Sequence, residues 1–518
     1  MENTERELLS DSIETDTLRE QVTTECTVEH TLPDYMPEIR RIRRIDARVI
    51  PSGKYVGDGG VEFSGIVAYT VIYTDGEGKL AAAAINGDYS FTCPERAAIS
   101  SAFADTEVEN TACRLGGPRK LSLRSTLKSR VHLCVPMPLA MPEIEGCKRL
   151  LRPVSVRRTL CAESGEIAIY DGIAIPGILP DEVHPLFCDG SLEPGDCRAG
   201  DDSVKLTGRA NIRVVALTED GRPMGFTVSI PVEREMTLEG AEIGDVCLVT
   251  GRPTTLTVRP SGDGEGGTRL EIDGAVECEV RIAKNREIAP VVGLYSPEFR
   301  TETVCRRLAF ESVAGTGSAS YTVSGSYTSP GDERAASVLD TVATATVRKI
   351  TEEEGRPVVL GDVRVGHLLS GTASGEETEV PCFSAEYVYP FRIEAPFLVP
   401  VGSDVRYECH TSVVRSTGRI TEDGLADDTE LRVLLTAYIT EQLPIVESAV
   451  GYPEEVYKKD PSLVRVVYPG EGDTLWSLAE RYHTTVEALA MTNRLALDDG
   501  VAVDAPESLD GVAFLLVE

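Results

Sequence analysis

The sequence predicts a mainly β fold, in which repeated antiparallel β modules are followed by a small C-terminal α/β domain of βααβ order. From Val61 to about Leu443, short runs rich in Val, Ile, Thr and Tyr alternate with Asp-Gly or Glu-Gly turns. Helical periodicity is convincing only after Leu463. A length of 518 residues suits three or four domains, which favours a modular chain over a single enzyme fold.

The charge of the chain limits its partners. There are 51 Lys and Arg residues against 84 Asp and Glu residues, a formal net charge of −33. Such a surface repels phosphate backbones and anionic lipids, so we expect no nucleic acid partner. Hydrophobic residues make up 42% of the chain, an ordinary share for a globular protein. No apolar run approaches the roughly 18 residues of a membrane helix, so we expect no membrane insertion.

The N-terminal residues and the cysteines indicate a reducing compartment. The segment MENTERELLS carries acidic residues where a secretory signal needs a basic segment and then an apolar one. Thirteen cysteines lie between Cys26 and Cys409 without a C-x-x-C motif, which favours reduced thiols over disulfides or a zinc site. The six histidines form no H-E-x-x-H motif. We expect a cytoplasmic protein with no metal and no other cofactor.

Self-similarity along the chain predicts three copies of one β module. Gly65 ends VEFSG and precedes FTCPER by 26 residues, Gly208 ends VKLTG and precedes IPVERE by 22, and Gly361 follows PVVL and precedes FRIEAP by 30. The first two copies share an upstream Leu-Pro-Asp, at Leu32–Asp34 and Leu179–Asp181. The alternative is that β-rich sequence is always weakly self-similar. If the copies are real, the three glycines occupy equivalent places in one strand order.

These copies and the C-terminal pattern suggest the domain boundaries. The third copy lacks a clear Leu-Pro-Asp, so its start is the least well defined of them. The expected division is an acidic N-terminal segment at 1–21, three modules at 22–150, 151–302 and 303–450, a linker at 451–462, and the C-terminal domain at 463–518.

Basic residues cluster once against the acidic background, at Arg40, Arg41, Arg43, Arg44 and Arg48. A short helix is predicted over the overlapping range 34–45, where a proline suits the first turn. One interpretation of the cluster is a solvated face paired with nearby acids. The other is a surface that docks an acidic partner or a second copy of the chain, which leaves self-association open.

The repeated part of the chain resembles the SPOCS domain, the repeated module of clostridial spore-coat and spore-envelope proteins. The resemblance rests on LPDYMPE at Leu32–Glu38 and on the strand-rich copies. It also rests on two exits that look like the ends of such modules, Gly293-Leu-Tyr-Ser-Pro and Gly451-Tyr-Pro-Glu. The resemblance implies an assembly module without catalytic residues.

The C-terminal domain can be described from its residues alone. A strand is expected at Val464–Tyr468 and a final strand at Ala513–Val517. Asp473 or Thr474 can accept hydrogen bonds from the free N–H groups of a first helix. Thr484 has a Glu three residues later, the spacing of a capping box for a second helix. The apolar residues at helical spacing are Leu475, Leu478, Ala479 and Tyr482 in the first helix, and Val486, Leu489 and Ala490 in the second.

The run GEGDTLWSLAERY makes this domain similar to the LysM domain, a carbohydrate-binding module. The resemblance implies a shallow groove for N-acetylglucosamine polymers between two loops, with Leu475 against the acetamido methyl group. Trp476 lies beside the first loop and is expected to be partly exposed. Asp473 and Thr474 also have a plain capping role. The implied groove residues are Gly472, Asp473, Thr474 and Leu475 in the first loop, and Asn493, Arg494, Leu495 and Ala496 in the second.

Two departures from the LysM pattern concern the ligand. The usual Pro-Gly-Gln approach to the last strand is replaced by DDGVAVDAPESLDGVAFLLVE, so the second loop is remodelled. The range 463–518 contains three basic and ten acidic residues, a net charge of −7. A neutral glycan tolerates an acidic groove, and a protein partner with a basic patch is attracted to it.

Modules of this kind followed by one LysM domain resemble the clostridial spore-envelope morphogenetic proteins. The resemblance implies a non-catalytic scaffold made in the mother cell and located at the forespore surface, whose LysM domain binds the spore-coat basement ATPase. The alternatives are a peptidoglycan-binding protein and a cell-wall hydrolase. No G-x-S-x-G motif, Walker loop or kinase motif set is present, and paired acids lie in turns, so we expect no enzyme.

Overall fold

The computed structural model describes residues 12–57, 59–163, 165–328, 335–371, 382–399, 404–422, 424–458, 463–495, 509 and 512–517. The predicted fold class is confirmed, because these residues form antiparallel sheets along the body and two short helices near the C-terminus. No helix within these ranges is long and apolar enough to cross a membrane.

Over the described residues, the body consists of three β units that share one strand order. In each unit the sixth strand lies between the first and the fifth, and the third lies between the second and the fourth, so that every unit has two sheets. The strands of unit 1 are β1 (Ser12–Thr31), β2 (Arg41–Gly57), β3 (Gly60–Thr74), β4 (Leu80–Pro94), β5 (Ser101–Leu115) and β6 (Lys120–Pro138).

Unit 2 follows the same order, with its first strand divided in two. Both parts of that strand pair with the last strand of the unit. A 3-10 turn at Pro180–Glu182 precedes the second sheet. After β7 (Lys148–Leu151), the strands of unit 2 are β8 (Val154–Glu163), β9 (Ile167–Ile175), β10 (Val183–Gly200), β11 (Ser203–Thr218), β12 (Pro223–Thr237), β13 (Cys247–Gly262) and β14 (Thr268–Ile288).

Unit 3 has the longest strands. After β15 (Val291–Tyr295), which pairs with β7, its strands are β16 (Phe299–Thr328), β17 (Ala335–Glu353), β18 (Arg356–Gly371), β19 (Cys382–Glu394), β20 (Val405–Thr421) and β21 (Gly424–Val456). The first half of β16 and the second half of β21 share an apolar cluster with residues at the end of unit 1 and in unit 2. Their apolar contacts include Leu308, Phe310, Leu443 and Ile445 against Leu139, Val156 and Ile288.

The predicted equivalence of the three glycines is found in the structure. Gly65, Gly208 and Gly361 are each the sixth residue of the middle strand of the second sheet, in β3, β11 and β18. In every unit, the pairing register of the neighbouring strand shifts directly after the residue opposite the glycine, which marks a β-bulge. The residues opposite are Pro51, Pro194 and Val347, respectively.

A side chain at these glycines would collide with the main chain of the bulged strand. A Cβ atom at Gly65 would lie 2.5 Å from the carbonyl oxygen of Ile50. At the other two glycines it would lie 2.7 Å from the carbonyl oxygen of Glu193 and 2.4 Å from that of Thr346, which hold the same place in their strands. The glycine therefore repeats in the sequence because each unit makes the same close backbone contact at this position.

The three units share an apolar core. Ile72, Val215 and Leu368 are each the seventh residue after the glycine of their unit, and all three are 0% exposed. They belong to one cluster that draws residues from every unit, including Leu80, Leu339 and Cys382.

A network of ion pairs, which we call the junction network, joins the units. Asp340 of unit 3 accepts hydrogen bonds from Arg44 of unit 1 and from Arg213 of unit 2, the latter at 2.7 Å. Asp189 of unit 2 accepts from Arg213 at 3.0 Å and from Arg48 of unit 1 at 2.9 Å. Burial acts to raise the pKa of Asp340, but Arg213 and Arg44 outweigh it and lower that pKa. Each unit thus contacts both others, and we call this arrangement the ring.

The junction network changes the interpretation of the basic cluster. Arg44 and Arg48 are committed to carboxylates of other units, and Arg40 donates to the carbonyl oxygen of Gly76 at 3.3 Å. The carboxylates came from distant parts of the chain, so the sequence near the arginines could not reveal them. Self-association stays a prediction.

The helix predicted over 34–45 is wrong. Strand β2 begins at Arg41, which pairs with Thr74 of β3, and the residues before it form turns and irregular structure. From Arg41 onward, pairing with β3 satisfies the backbone N–H and C=O groups, and it outweighs the local apolar periodicity.

The domain boundaries stay a prediction, and four of the expected boundaries fall within strands, namely β1, β7, β16 and β21. Strand β1 begins at Ser12, inside the expected segment 1–21, because its start pairs with the end of β6. Strand β21 continues to Val456, inside the expected linker, because its end pairs with the start of β16. Residues 459–462 of that linker lie outside the described residues.

Replacing Gly361 by alanine is expected to lower the free energy of unfolding by about 1 to 3 kcal/mol, because the new Cβ would force two strands apart. Urea unfolding followed by circular dichroism measures the effect. Gly366→Ala is the matched control, since this residue lies in the same strand and its Cβ would meet nothing within 4 Å. Equal effects of the two variants would contradict the close-contact explanation.

Candidate functional site

The C-terminal domain is built from two short strands and two helices. Strand β22 (Arg465–Val467) pairs antiparallel with β23 (Leu515–Val517), and α1 (Leu475–Arg481) and α2 (Val486–Asn493) lie between them in sequence. The order is the predicted βααβ. The helices bury their apolar stripes against the sheet in one core, which contains Val467, Leu475, Leu478, Leu489, Leu509, Leu515 and Val517.

The polar side chains of the first loop already have partners within the domain. Asp473 accepts from the backbone N–H of Gly470 and from the Arg481 guanidinium, each at 2.8 Å. These two contacts, the backbone one first, lower the pKa of Asp473. Thr474 is the N-cap of α1, since its hydroxyl accepts from the backbone N–H of Ser477 at 3.0 Å. Of the two predicted caps, Thr474 therefore fills the role.

The other two residues of the first loop differ in exposure. Gly472 is exposed with φ of +82°, a conformation that favours glycine. Leu475 is 2% exposed and belongs to the domain core. A ligand at this loop would meet main-chain groups of Gly472 and its neighbours, and the Leu475 side chain faces the core.

The second loop is anchored by Asn493. Its Nδ2 donates to the carbonyl oxygens of Leu489 and Leu516, and its Oδ1 accepts from the Leu516 N–H at 2.6 Å. Arg494 is exposed, in the left-handed region with φ of 57°, and it ends α2. Leu495 is half-buried against the core. Ala496 lies outside the described residues.

The predicted capping box at Thr484 is wrong, because Thr485 caps α2. The Thr485 hydroxyl accepts from the backbone N–H of Ala488 at 3.1 Å. Thr484 instead closes the first helix, where its N–H donates to the carbonyl oxygen of Ala479 at 2.9 Å after His483 turns the chain with φ of 55°. Sequence spacing alone did not separate two adjacent threonines.

Trp476 is partly exposed, as predicted, and its covered part packs against the ring. The indole meets the Tyr295 ring edge-on, with 4.7 Å between the centroids. A Cβ atom at Gly293 would lie 3.0 Å from the indole Nε1, so the domain approaches the main chain of β15 closely. The Tyr295 hydroxyl donates to the carbonyl oxygen of Thr484 at 3.0 Å.

Two further contacts complete this docking surface. The rings of Tyr457 and His483 stack with centroids 3.5 Å apart. Lys148 of β7 reaches Glu487 of α2 at 3.4 Å. Sequence reasoning missed these body residues as contacts of the C-terminal domain. The tyrosine-containing exit at Gly293 is visible in the sequence, but nothing near it indicates its partner.

Comparison with protein-family models matches residues 470–504 to the LysM domain. The match begins at the first loop and includes both helices, so the chain carries a LysM domain, a binding domain of a carbohydrate-binding family. Comparisons with curated proteins and with solved structures found no match. The ligand-binding role of the individual groove residues stays a prediction.

A buried cluster in unit 3 has the residue types of a catalytic relay. The hydroxyl of Tyr387 donates to Asp427 at 2.8 Å and lies 3.2 Å from Nε2 of His367, whose Nδ1 lies 2.9 Å from the hydroxyl of Thr341. His367 and Asp427 are both 0% exposed, so a substrate does not reach them. Burial lowers the pKa of His367 to about 4 and raises that of Asp427. The cluster supports the interior of unit 3.

Across the described residues, no group of three or more His, Cys, Asp or Glu side chains is placed to hold a metal ion.

The pH dependence of the free energy of unfolding of the ring is expected to arise in part from His367. The folded state keeps this imidazole neutral down to about pH 4, whereas an unfolded chain takes up the proton near pH 6.5. The free energy of unfolding should therefore fall as pH falls from 6.5 to 4, by roughly 2 to 4 kcal/mol from this residue. Urea unfolding at several pH values measures the slope. His367→Asn should flatten it, and His184→Asn, at an exposed position, should leave it unchanged; identical slopes for both variants would refute the assignment.

Trp476 is the only tryptophan of the chain, so its fluorescence reports the docking of the LysM domain. Gly293→Ala is expected to shift the emission to longer wavelength and to increase quenching by acrylamide, because the added Cβ displaces the indole. Gly59→Ala is the control, since nothing lies within 4 Å of its added Cβ. An unchanged spectrum for Gly293→Ala would show that the docking contact is absent in solution.

Proposed function

We propose that this protein is a non-catalytic scaffold in the assembly of the spore envelope, and that its LysM domain binds a partner protein, the spore-coat basement ATPase. The protein acts in the cytoplasm of the mother cell, at the forespore surface. The resemblance of the repeated part to SPOCS modules supports the setting, and the LysM domain supports a binding role.

The observation that favours a protein ligand is that the polar side chains of the groove are already hydrogen-bonded within the domain. Asp473, Thr474 and Asn493 form hydrogen bonds with other groups of the same domain. A sugar-binding groove needs convergent polar groups to orient the sugar. The charged side chains of Glu471 and Arg494 are instead exposed at the two loops, where they suit a charged protein surface.

The contacts that dock the domain on the body support a scaffold. The contacts of Trp476 with Tyr295 and of Tyr457 with His483 fix the LysM domain on the ring. The first loop stays accessible to a partner, since Gly470, Glu471 and Gly472 are exposed. A scaffold needs its binding domain held at a defined place on a stable body.

Glycan binding is the second candidate, and the match to the LysM domain at residues 470–504 favours it. The exposed main chain at Glu471 and Gly472 can donate to the acetamido groups of N-acetylglucosamine polymers in peptidoglycan. In this case the protein binds the wall polymer around the forespore.

Calorimetric titration of the full chain separates the two candidates. We expect saturable binding of the purified basement ATPase and no measurable heat with a hexamer of N-acetylglucosamine. Arg494→Glu and Glu471→Lys should each weaken the protein complex about tenfold, roughly 1.4 kcal/mol, because both reverse a charge at the groove loops.

Arg465→Glu is the matched control, since it makes the same charge reversal at the start of β22, outside the two loops. This variant should bind like the unmodified chain. Saturable binding of the hexamer without a response to the ATPase would overturn the protein-partner proposal and establish the glycan candidate.

A further inference from the structure

A cavity of about 370 Å³ lies where the three units of the ring meet. The fifth strands of all three units, β5, β13 and β20, contribute to its walls, together with parts of β14 and β21. Exposed residues of the β2 bulge, Ser52, Gly53 and Lys54, line its mouth. The volume is in the range of small-molecule sites.

Over the described residues, two arginines in the walls donate hydrogen bonds to main-chain oxygens alone. Arg252 of unit 2 donates to the carbonyl oxygen of Val49 in unit 1 at 3.3 Å. Arg432 of unit 3 donates to the carbonyl oxygen of Gly195 in unit 2 at 3.0 Å, and to that of Pro194. Within the described ranges, neither guanidinium has a carboxylate within 4.0 Å. This is unusual in a chain of net charge −33, where acids outnumber bases.

Most carboxylates of the cavity wall are occupied by other cations. Asp105 and Glu279 both contact Arg281, the former at 2.9 Å. Glu107 lies 3.6 Å from Arg130.

Glu277 is the exception among these carboxylates. It faces Arg252 across the pairing of β13 and β14, but not at ion-pair distance. Burial lowers the pKa of Arg252, and Glu277 opposes this effect only in part. The charge of Arg252 is therefore desolvated without a full compensating partner.

We propose that this cavity binds a small oxyanion of the phosphate or carboxylate class between Arg252 and Arg432. A guanidinium removed from water without an anion is unfavourable, and its planar fork of donors matches two oxygens of one oxyanion. The anion would bridge units 2 and 3 and would strengthen the ring. Glu277 repels it and keeps the affinity modest. The site is separate from the LysM groove and does not depend on the proposed function.

Inorganic phosphate and citrate, compared with chloride at constant ionic strength, are the probes. Calorimetry and thermal unfolding of the full chain should show one binding site and a raised melting temperature for at least one of them. Arg252→Gln should weaken binding about tenfold or more, and Glu277→Gln should strengthen it severalfold, because it removes the repelling carboxylate. Arg198→Gln is the control, since Arg198 is exposed and pairs with Asp196 outside the cavity.

A binding site predicts opposite effects on anion affinity for Arg252→Gln and Glu277→Gln. A purely structural contact predicts that neither variant binds the anion more tightly. If Arg252→Gln fails to fold, Glu277→Gln still decides the question. A response to phosphate alone or to citrate alone identifies the class of oxyanion. The proposal is overturned if neither phosphate nor citrate acts beyond chloride, or if Glu277→Gln leaves the affinity unchanged.

Discussion

The position of Asp340 between Arg44 and Arg213 is the contact on which the arrangement of the body depends. Each of these charges is largely removed from water, and a buried charge without its partner is strongly destabilising. The three side chains come from three different units, so the pairs form only when all units are docked. The apolar core around Ile72 supplies the driving force, and the charges select one geometry for it. The cavity follows from that geometry, because all three units contribute to its walls.

Features that repeat along the chain were predictable from sequence, whereas features that join distant segments were not. Gly65 and its two counterparts, the strand-rich copies and the βααβ domain were all visible as local pattern. The role of Arg44 was hidden, because Asp340 lies 296 residues away. The same reason explains the wrong helix at 34–45, where pairing with β3 overrides local periodicity. The predicted cap at Thr484 is wrong by one residue, since two adjacent threonines offer the same capping chemistry.

In the LysM domain, most residues that identify the motif stabilise the fold and are not free to bind a ligand. The motif residues were found, and most of them hold the domain together: Leu475 in the core, Thr474 at a helix start and Asn493 bonded to Leu516. The bond of Asn493 spans 23 residues, so the sequence could not assign it to structure in preference to ligand. What remains for recognition is exposed main chain and a few charged side chains. Family membership thus specifies the frame of the site more firmly than its ligand.

Closure of the ring has a consequence for synthesis of the chain on the ribosome. Unit 1 is complete when Pro138 has emerged, but Arg44 gains Asp340 only after unit 2 and strand β17 of unit 3 have followed. The last strand of that unit extends to Val456. During this interval, unit 1 presents an apolar face around Ile72 to solvent, and Arg44 has Asp46 of its own unit but not yet Asp340. Such contacts of high sequence separation form slowly, and incomplete chains are prone to aggregate. A truncated message would therefore yield an insoluble product, even though each unit has its own two sheets.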